Sequence, residues 1–223
     1  MSDSRSLRYL TNYSHHRVDT LSDLESRIQK ESVAADFLVR VIRNYTSKTD
    51  LKVLDFGAGD FALTKALTSR GINTQGVDID NLDFRSDKVS FPNNHFDAVL
   101  LMSIVEHLTD PTNVFEEAKR LLKQNGLLIV ITPNWKYCYK SFYEDLTHIK
   151  PYTVNSLKFT VEMFGFLMLS VMPWSPRKSI NFLLKSFAIK VCAHLPLRGD
   201  SRMPVPKIIK GKSSTLLVVA KKQ

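Results

Sequence analysis

The stretch Val53-Leu54-Asp55-Phe56-Gly57-Ala58-Gly59-Asp60-Phe61 restricts this chain more than any other. An apolar run meets an acid and two glycines, and a helix-forming segment from Ala62 to Arg70 follows at once. The pattern predicts strand, tight turn and helix. Gly57 and Gly59 carry no Cβ, so the backbone can turn sharply and a ligand can lie against it, facing the unsatisfied N–H groups of the helix. The same pair also fits a strand-to-helix turn with nothing bound, so the downstream residues decide between the two.

A ribose-binding acid should end a second strand about 20 residues beyond the glycines, where it can accept two hydrogen bonds from the diol. Asn73-Thr74-Gln75-Gly76-Val77 ends in Asp78, after the helix stop Gly71. Strand, helix and strand fit the span that a right-handed crossover needs. Gly57-x-Gly59-x-x-Ala62 also satisfies the dinucleotide fingerprint, which keeps an NAD-dependent oxidoreductase as an alternative. Asp55 opposes it. A carboxylate at the mouth of the first strand repels a pyrophosphate and attracts a ligand with no phosphate and a cationic amino-acid part. S-adenosylmethionine is such a ligand.

Taken as an ordered set, the motifs resemble the class I S-adenosylmethionine-dependent methyltransferases of the small-molecule branch. Asp55-Phe56-Gly57-Ala58-Gly59 is similar to that family's first motif and Gly76-Val77-Asp78-Ile79-Asp80 to its second. Phe91-Pro92-Asn93-Asn94-His95-Phe96-Asp97-Ala98-Val99-Leu100 resembles the fourth-strand signature, and Ser103-Ile104-Val105-Glu106-His107-Leu108 with Asp110-Pro111 the segment after it. Arg120-Leu121-Leu122-Lys123, Gly126-Leu127-Leu128-Ile129-Val130 and Asp145-Leu146-Thr147-His148 follow in the family's order, across roughly residues 50 to 174 and the last strand.

The resemblance implies a doubly wound, Rossmann-like α/β fold: a mainly parallel seven-strand sheet with an antiparallel last strand and helices on both faces. It implies cofactor contacts at Asp55, Gly57, Gly59, Asp78, Ile79 and Ser103, and an adenine-contacting acid at Asp87, with Asp83 the alternative. Two departures stand out. Only ten residues separate Asp80 from Phe91, too few for a full helix and strand, so that edge of the sheet should be abbreviated. Phe61 stands where many members carry a third glycine.

The chain is long enough for one domain with a sizeable core. Expected elements are a leading helix from Ser22 or Asp23 to about Tyr45, strand 51–56, helix 61–70, strand 73–78, strand 97–102, helix 111–123, strand 127–132, helix 153–164, strand 166–172 and a last strand from Thr215 to Ala220. This gives an arm and helix over 1–45, a cofactor-binding core over 46–173, an insertion over 174–212 and a closing strand over 213–223. Between strand and helix, residues 133–143 form an aromatic-rich loop without regular period, placed to line a substrate pocket.

The charge is uneven. Residues 175–223 hold 11 Lys and Arg against one Asp, while residues 1–174 hold 20 against 21 acids. A basic segment of this kind can meet phosphates, acidic lipids or an anionic substrate, or nothing but solvent. Ile180, Leu183, Leu184, Phe187, Val191 and Leu195 fall at helical spacing, so 179–195 reads as an amphipathic helix that packs on the sheet or makes peripheral membrane contact. Cys138 and Cys192 form no C-x-x-C, the polar amino terminus is no leader, and 18 uninterrupted apolar residues occur nowhere; a cytoplasmic protein is expected. The pair His15-His16 lacks clustered companions, and no metal site is expected.

Methyl transfer to a hydroxyl needs a group that removes a proton, and a near-neutral histidine suits that work. His148 and His107 are the candidates. Ser103-Ile104-Val105-Glu106 occupies the position where base-amine methyltransferases of this family carry Asn/Asp-Pro-Pro-aromatic, which disfavours nucleic-acid bases. The expected acceptor is therefore a small molecule, a sugar, quinone-type or lipid-linked intermediate, methylated on oxygen to leave S-adenosyl-L-homocysteine. Two further functions fit the same motifs: an RNA methyltransferase that uses the basic region, and a protein that binds the cofactor without turning it over.

Overall fold

The computed structural model describes residues 24–78, 82–174 and 215–223. The amphipathic reading of 179–195, most of the insertion, Ile79 and the His15-His16 pair lie outside these residues. Helix α1 spans Leu24–Tyr45 and leads into β1 (Lys52–Phe56), α2 (Ala62–Thr68) and β2 (Asn73–Val77). Then come β3 (Phe96–Met102), α3 (Thr112–Leu121), β4 (Leu122–Pro133), the short α4 (Trp135–Cys138), α5 (Val154–Met163), β5 (Phe166–Trp174) and β6 (Thr215–Lys222).

The strands form one sheet in the order β2-β1-β3-β4-β6-β5. β1 runs parallel to β2 and β3, and β3 to β4, whereas β6 is antiparallel to both β4 and β5. Alternation along β4 shows why helices cover both faces. Ile129 and Ile131 join Leu38, Ile42 of α1 and Ala66, Leu67 of α2 in one buried layer. Leu128 and Val130 join Phe115, Ala118 of α3 and Leu157, Val161 of α5 in the other. A parallel strand with apolar residues on both faces needs this double cover.

The sheet has six strands among the described residues, not the seven implied by the resemblance. Chain length is the reason. Residues 82–95 have no room for helix and strand, and they are instead pinned to α3 by side chains. Glu117, almost fully buried, accepts the Val89 N–H at 2.9 Å, and Arg120 donates to Glu117 Oε2 at 2.7 Å. Arg120 also donates to the carbonyls of Val89 and Phe91 at 2.9 and 2.8 Å. Removing the guanidinium leaves a buried carboxylate and several carbonyls unmatched. Arg120→Met is expected to cost about 2–3 kcal/mol and lower the midpoint of thermal unfolding by roughly 5–10 °C. A midpoint within 2 °C of wild type would show that the segment is held by its apolar contacts instead.

Candidate active site

The site is built where the strand order reverses, between the carboxyl ends of β1 and β3, the place where open α/β sheets bind ligands. At the end of β1 the chain turns through Gly57, at φ +87°, and a Cβ there would stand 2.7 Å from Ile104 Cγ1 just beyond β3. The Gly57 and Ala58 N–H groups donate to the Val77 carbonyl at 2.8 and 2.9 Å, which ties this loop to the end of β2. Gly59 faces open space, with nothing within 4 Å of its would-be Cβ, and its N–H donates to the carboxylate of Asp78. Phe61 adopts the conformation a glycine would take there, with φ 61° and ψ 14°, and starts α2. This left-handed conformation costs an ordinary residue about 1–2 kcal/mol.

Asp55 is buried beneath this loop. Its Oδ2 accepts from the Thr64 hydroxyl at 2.7 Å, while Oδ1 has no hydrogen-bond partner. Burial pushes its carboxyl up to about 7; the Thr64 bond opposes that rise, and Asp78, Glu31 and Asp60 add to it. Glu31, one turn of α1 beyond Arg27, is itself raised by burial and by Asp60. Arg27 pairs with Asp60 at 2.6 Å. Four acids therefore converge on the glycine loop, and the orphaned Asp55 oxygen suits a cationic group better than a pyrophosphate.

Asp87 and Asp83 serve their own loop. Asp87 accepts the Asp83 N–H at 2.8 Å, and Asp83 holds the Arg85 guanidinium through two bonds of 2.9 Å. Ser103 leaves β3 with φ 55°, its N–H donating to the Ile131 carbonyl at 2.8 Å.

A second group of side chains lies past β3. Glu106 is fully buried; its Oε2 accepts from the Thr132 hydroxyl at 2.8 Å, and Oε1 has no partner of hydrogen-bond geometry. Burial pushes this carboxyl up to about 7, against the pull of its own backbone and of the Thr132 and Ser103 hydroxyls. The Glu106 carbonyl accepts from the Ile149 and Lys150 N–H groups at 2.8 and 2.9 Å, bringing the Asp145–His148 loop onto the turn Val105–His107. The rings of His107 and His148 consequently sit 4.8 Å apart, centroid to centroid. Phe142 lies 4.5 Å from the His148 ring, inside a cluster with Trp135 and Tyr143. The aromatic loop is thus part helix α4, part packed cluster. One ligating atom each from Glu106, His107 and His148 lies within 4.8 Å of the other two.

The structure brings Asp55, Gly57, Gly59, Asp78 and Ser103 to one rim, and His107 beside His148. Glu106 and Glu31 were not singled out from sequence. Glu106 could have been noticed as an acid directly before a candidate histidine, whereas Glu31 gives no signal until α1 is laid across the loop.

A family model described as "Methyltransferase domain" matches residues 25–171. The chain belongs to this family. It is a class I S-adenosylmethionine-dependent methyltransferase domain, as its motifs implied. Among curated relatives, a ubiquinone biosynthesis O-methyltransferase of Nitrosomonas europaea is 23% identical over 60% of this chain and 64% of its own. One from Bradyrhizobium diazoefficiens is 32% identical over 44% of this chain and 46% of its own. The chain thus spans about half to two-thirds of the curated relatives it matches. A methyltransferase structure from Archaeoglobus fulgidus superposes with a TM-score of 0.55, 24% identity and coverage of 86% and 94%. Another from Aquifex aeolicus gives 0.52 with 17% identity, covering 91% and 100%. These superpositions show the shared fold.

For the methyltransferase domain without ligand, the raised Asp55 carboxyl has a stability consequence of definite sign. The native state holds this proton more tightly than the unfolded chain, so the contribution is full below pH 4 and lost as pH rises to about 7. Wild type is expected to lose stability relative to Asp55→Asn across that window, by up to about 4 kcal/mol, in denaturant titrations at pH 4, 5.5, 7 and 8. A gap that stays constant with pH would place the Asp55 carboxyl in an ordinary range.

Proposed function

We propose that this protein transfers a methyl group from S-adenosylmethionine to a hydroxyl oxygen of a small molecule, most plainly a phenolic or quinone-type acceptor. The observation that carries the reading is the pairing, on one rim, of a cation-seeking glycine loop with the Glu106, His107 and His148 group. The curated relatives add their weight, since their names specify O-methylation in ubiquinone biosynthesis.

The bound cofactor supplies the activated methyl carbon. The protein supplies position and charge. Asp55, with Glu31 and Asp60 around it, receives the ammonium of the amino-acid part; Gly57 and Gly59 let that part lie against the backbone; Asp78 takes the ribose diol in exchange for the Gly59 N–H it now holds. By the family resemblance, Ile79 and Ser103 would contact the cofactor and Asp87 its adenine, with Asp83 the alternative. On the acceptor side, His148 donates from Nδ1 to the Phe142 carbonyl at 2.7 Å, which leaves the Nε2 lone pair to accept the hydroxyl proton. Asp145 Oδ2 lies 3.9 Å from Nε2. His107 is the alternative. Tyr139, Tyr143, Leu146 and Ile149 are exposed along the same loop region and offer an apolar face to an aromatic or lipid-linked acceptor. An RNA acceptor would depend on the basic segment outside the described residues.

S-adenosylhomocysteine at about a hundred times its dissociation constant is expected to stabilise the protein by about 2.7 kcal/mol, raising the thermal midpoint by several degrees, with NAD leaving it in place. A shift with NAD alone would overturn the reading in favour of an oxidoreductase. His148→Ala is expected to lower turnover on a phenolic acceptor by at least tenfold with homocysteine-ligand affinity unchanged. Unchanged turnover would remove His148 from the site.

A further inference from the structure

We infer that Phe61 is a positioning residue for the cofactor's ammonium: its ring lies in the hollow above Gly76, roofs the Thr64 side of the Asp55 carboxylate and holds water off it, which keeps the unpartnered oxygen for a cation. The inference rests on the reading of Asp55 as the ammonium's partner.

The backbone supplies the first support. Phe61 stands at φ 61° and ψ 14°, a glycine-like conformation, at the place where many members of the family carry their third glycine. An ordinary side chain is strained there, and such strain persists where the surroundings hold it for a use. The Phe61 N–H donates to the Ala58 carbonyl, and the Phe61 carbonyl accepts from the Lys65 N–H, both at 2.9 Å. Turn and helix together therefore fix the direction in which the ring leaves the chain.

The second support is the fit between Phe61 and β2. A Cβ on Gly76 would stand 2.8 Å from Phe61 Cδ1, 2.8 Å from Thr64 Oγ1 and 2.9 Å from Ala58 Cβ. Ring, hydroxyl and methyl thus meet over one glycine, and glycine inside a strand marks close approach of this kind. Gly76 is also the register partner of Asp55 across β1 and β2. The ring accordingly sits beside the Thr64 hydroxyl that donates to Asp55 Oδ2 at 2.7 Å.

The third support is the contrast in exposure. Phe61 is 36% exposed, whereas Asp55 is 1% exposed and its Oδ1 has no hydrogen-bond partner. An apolar ring at the surface therefore stands between solvent and a buried hydroxyl–carboxylate pair. Excluding water strengthens the attraction of a carboxylate for a cation. The charged groups acting on Asp55 are all acidic: Asp78 beyond β2, Glu31 from α1 and Asp60 from the glycine loop. Arg27 of α1 is turned to Asp60 at 2.6 Å, and the β3 register partner, Leu100, is apolar. To take up an ammonium, Asp55 must first shed its own proton, so cofactor affinity should rise with pH through about 7. Opening the roof wets the carboxylate and moves that inflection down.

The test compares the full chain as wild type, Phe61→Gly and Phe61→Leu. Glycine suits the backbone and removes the cover, while leucine keeps an apolar cover. The Asp55 titration is read without ligand by carboxyl-carbon NMR of aspartate-labelled protein, assigned with Asp55→Asn. S-adenosylhomocysteine affinity is measured by calorimetry from pH 5.5 to 8. Phe61→Gly is expected to lower the Asp55 titration by about one pH unit or more. Its affinity for the ligand at pH 8 should fall at least about fivefold, with the pH dependence displaced by the same amount as the titration. Phe61→Leu is expected to titrate within about half a unit of wild type. A Phe61→Gly titration that close to wild type overturns the inference, as does Phe61→Leu moving as far as Phe61→Gly. Wild type that binds no S-adenosylhomocysteine at any pH brings down the cofactor reading and the inference with it; normal binding with an unmoved titration in Phe61→Gly brings down the inference alone.

Discussion

The close approach of Gly57 to Ile104 sets the geometry on which the site depends. It occurs where β1 and β3 lie side by side and the chain has turned from building one half of the sheet to building the other. A side chain at 57 would collide with Ile104, and an L residue would resist φ +87°. With that position accommodated, the loop can drop onto β2 through the Val77 carbonyl, bury Asp55 and leave Gly59 facing open space. The two apolar layers on either side of the sheet supply the rigidity that keeps this rim in register.

Two buried carboxylates share one design at this rim. Asp55 and Glu106 each have one oxygen held by a threonine hydroxyl, Thr64 and Thr132, and one oxygen left unmatched. Burial raises both toward neutrality. A half-satisfied buried carboxylate lowers stability, and natural proteins keep such features where a ligand completes them. One stands under the glycine loop and the other beside two histidines, so the cofactor side and the acceptor side of the rim both favour positive charge.

Most elements were legible because their signals are local. The alternating and continuous apolar runs of β1 and β3, the stripe of α1 and the Thr153 start of α5 lie within two residues of their sequence-based bounds. β4 begins earlier than expected, at Leu122, since Leu122 pairs with Phe96 ahead of an irregularity that returns the strand to register at Ala98 and Leu127. Such pairing depends on a partner strand. Among the described residues the sheet has six strands, and in the short span before β3 Arg120 and Glu117 pin an irregular segment where a helix and strand would not fit.

The sequence by itself determined the order of strands and helices, the glycine loop with its flanking acids, and membership of the methyltransferase family. Each is written in short-range pattern: period, turn residues and fixed spacing. Only the tertiary structure decided that Glu31 reaches the glycine loop from α1, that Phe61 accepts a glycine-like conformation, and that Glu106 lies buried between Thr132 and two histidines. Those contacts join residues from separate segments, up to some forty positions apart in the case of His107 and Thr147. Burial, which sets the charge state of Asp55 and Glu106, is a property of the packed chain and of no single stretch of it.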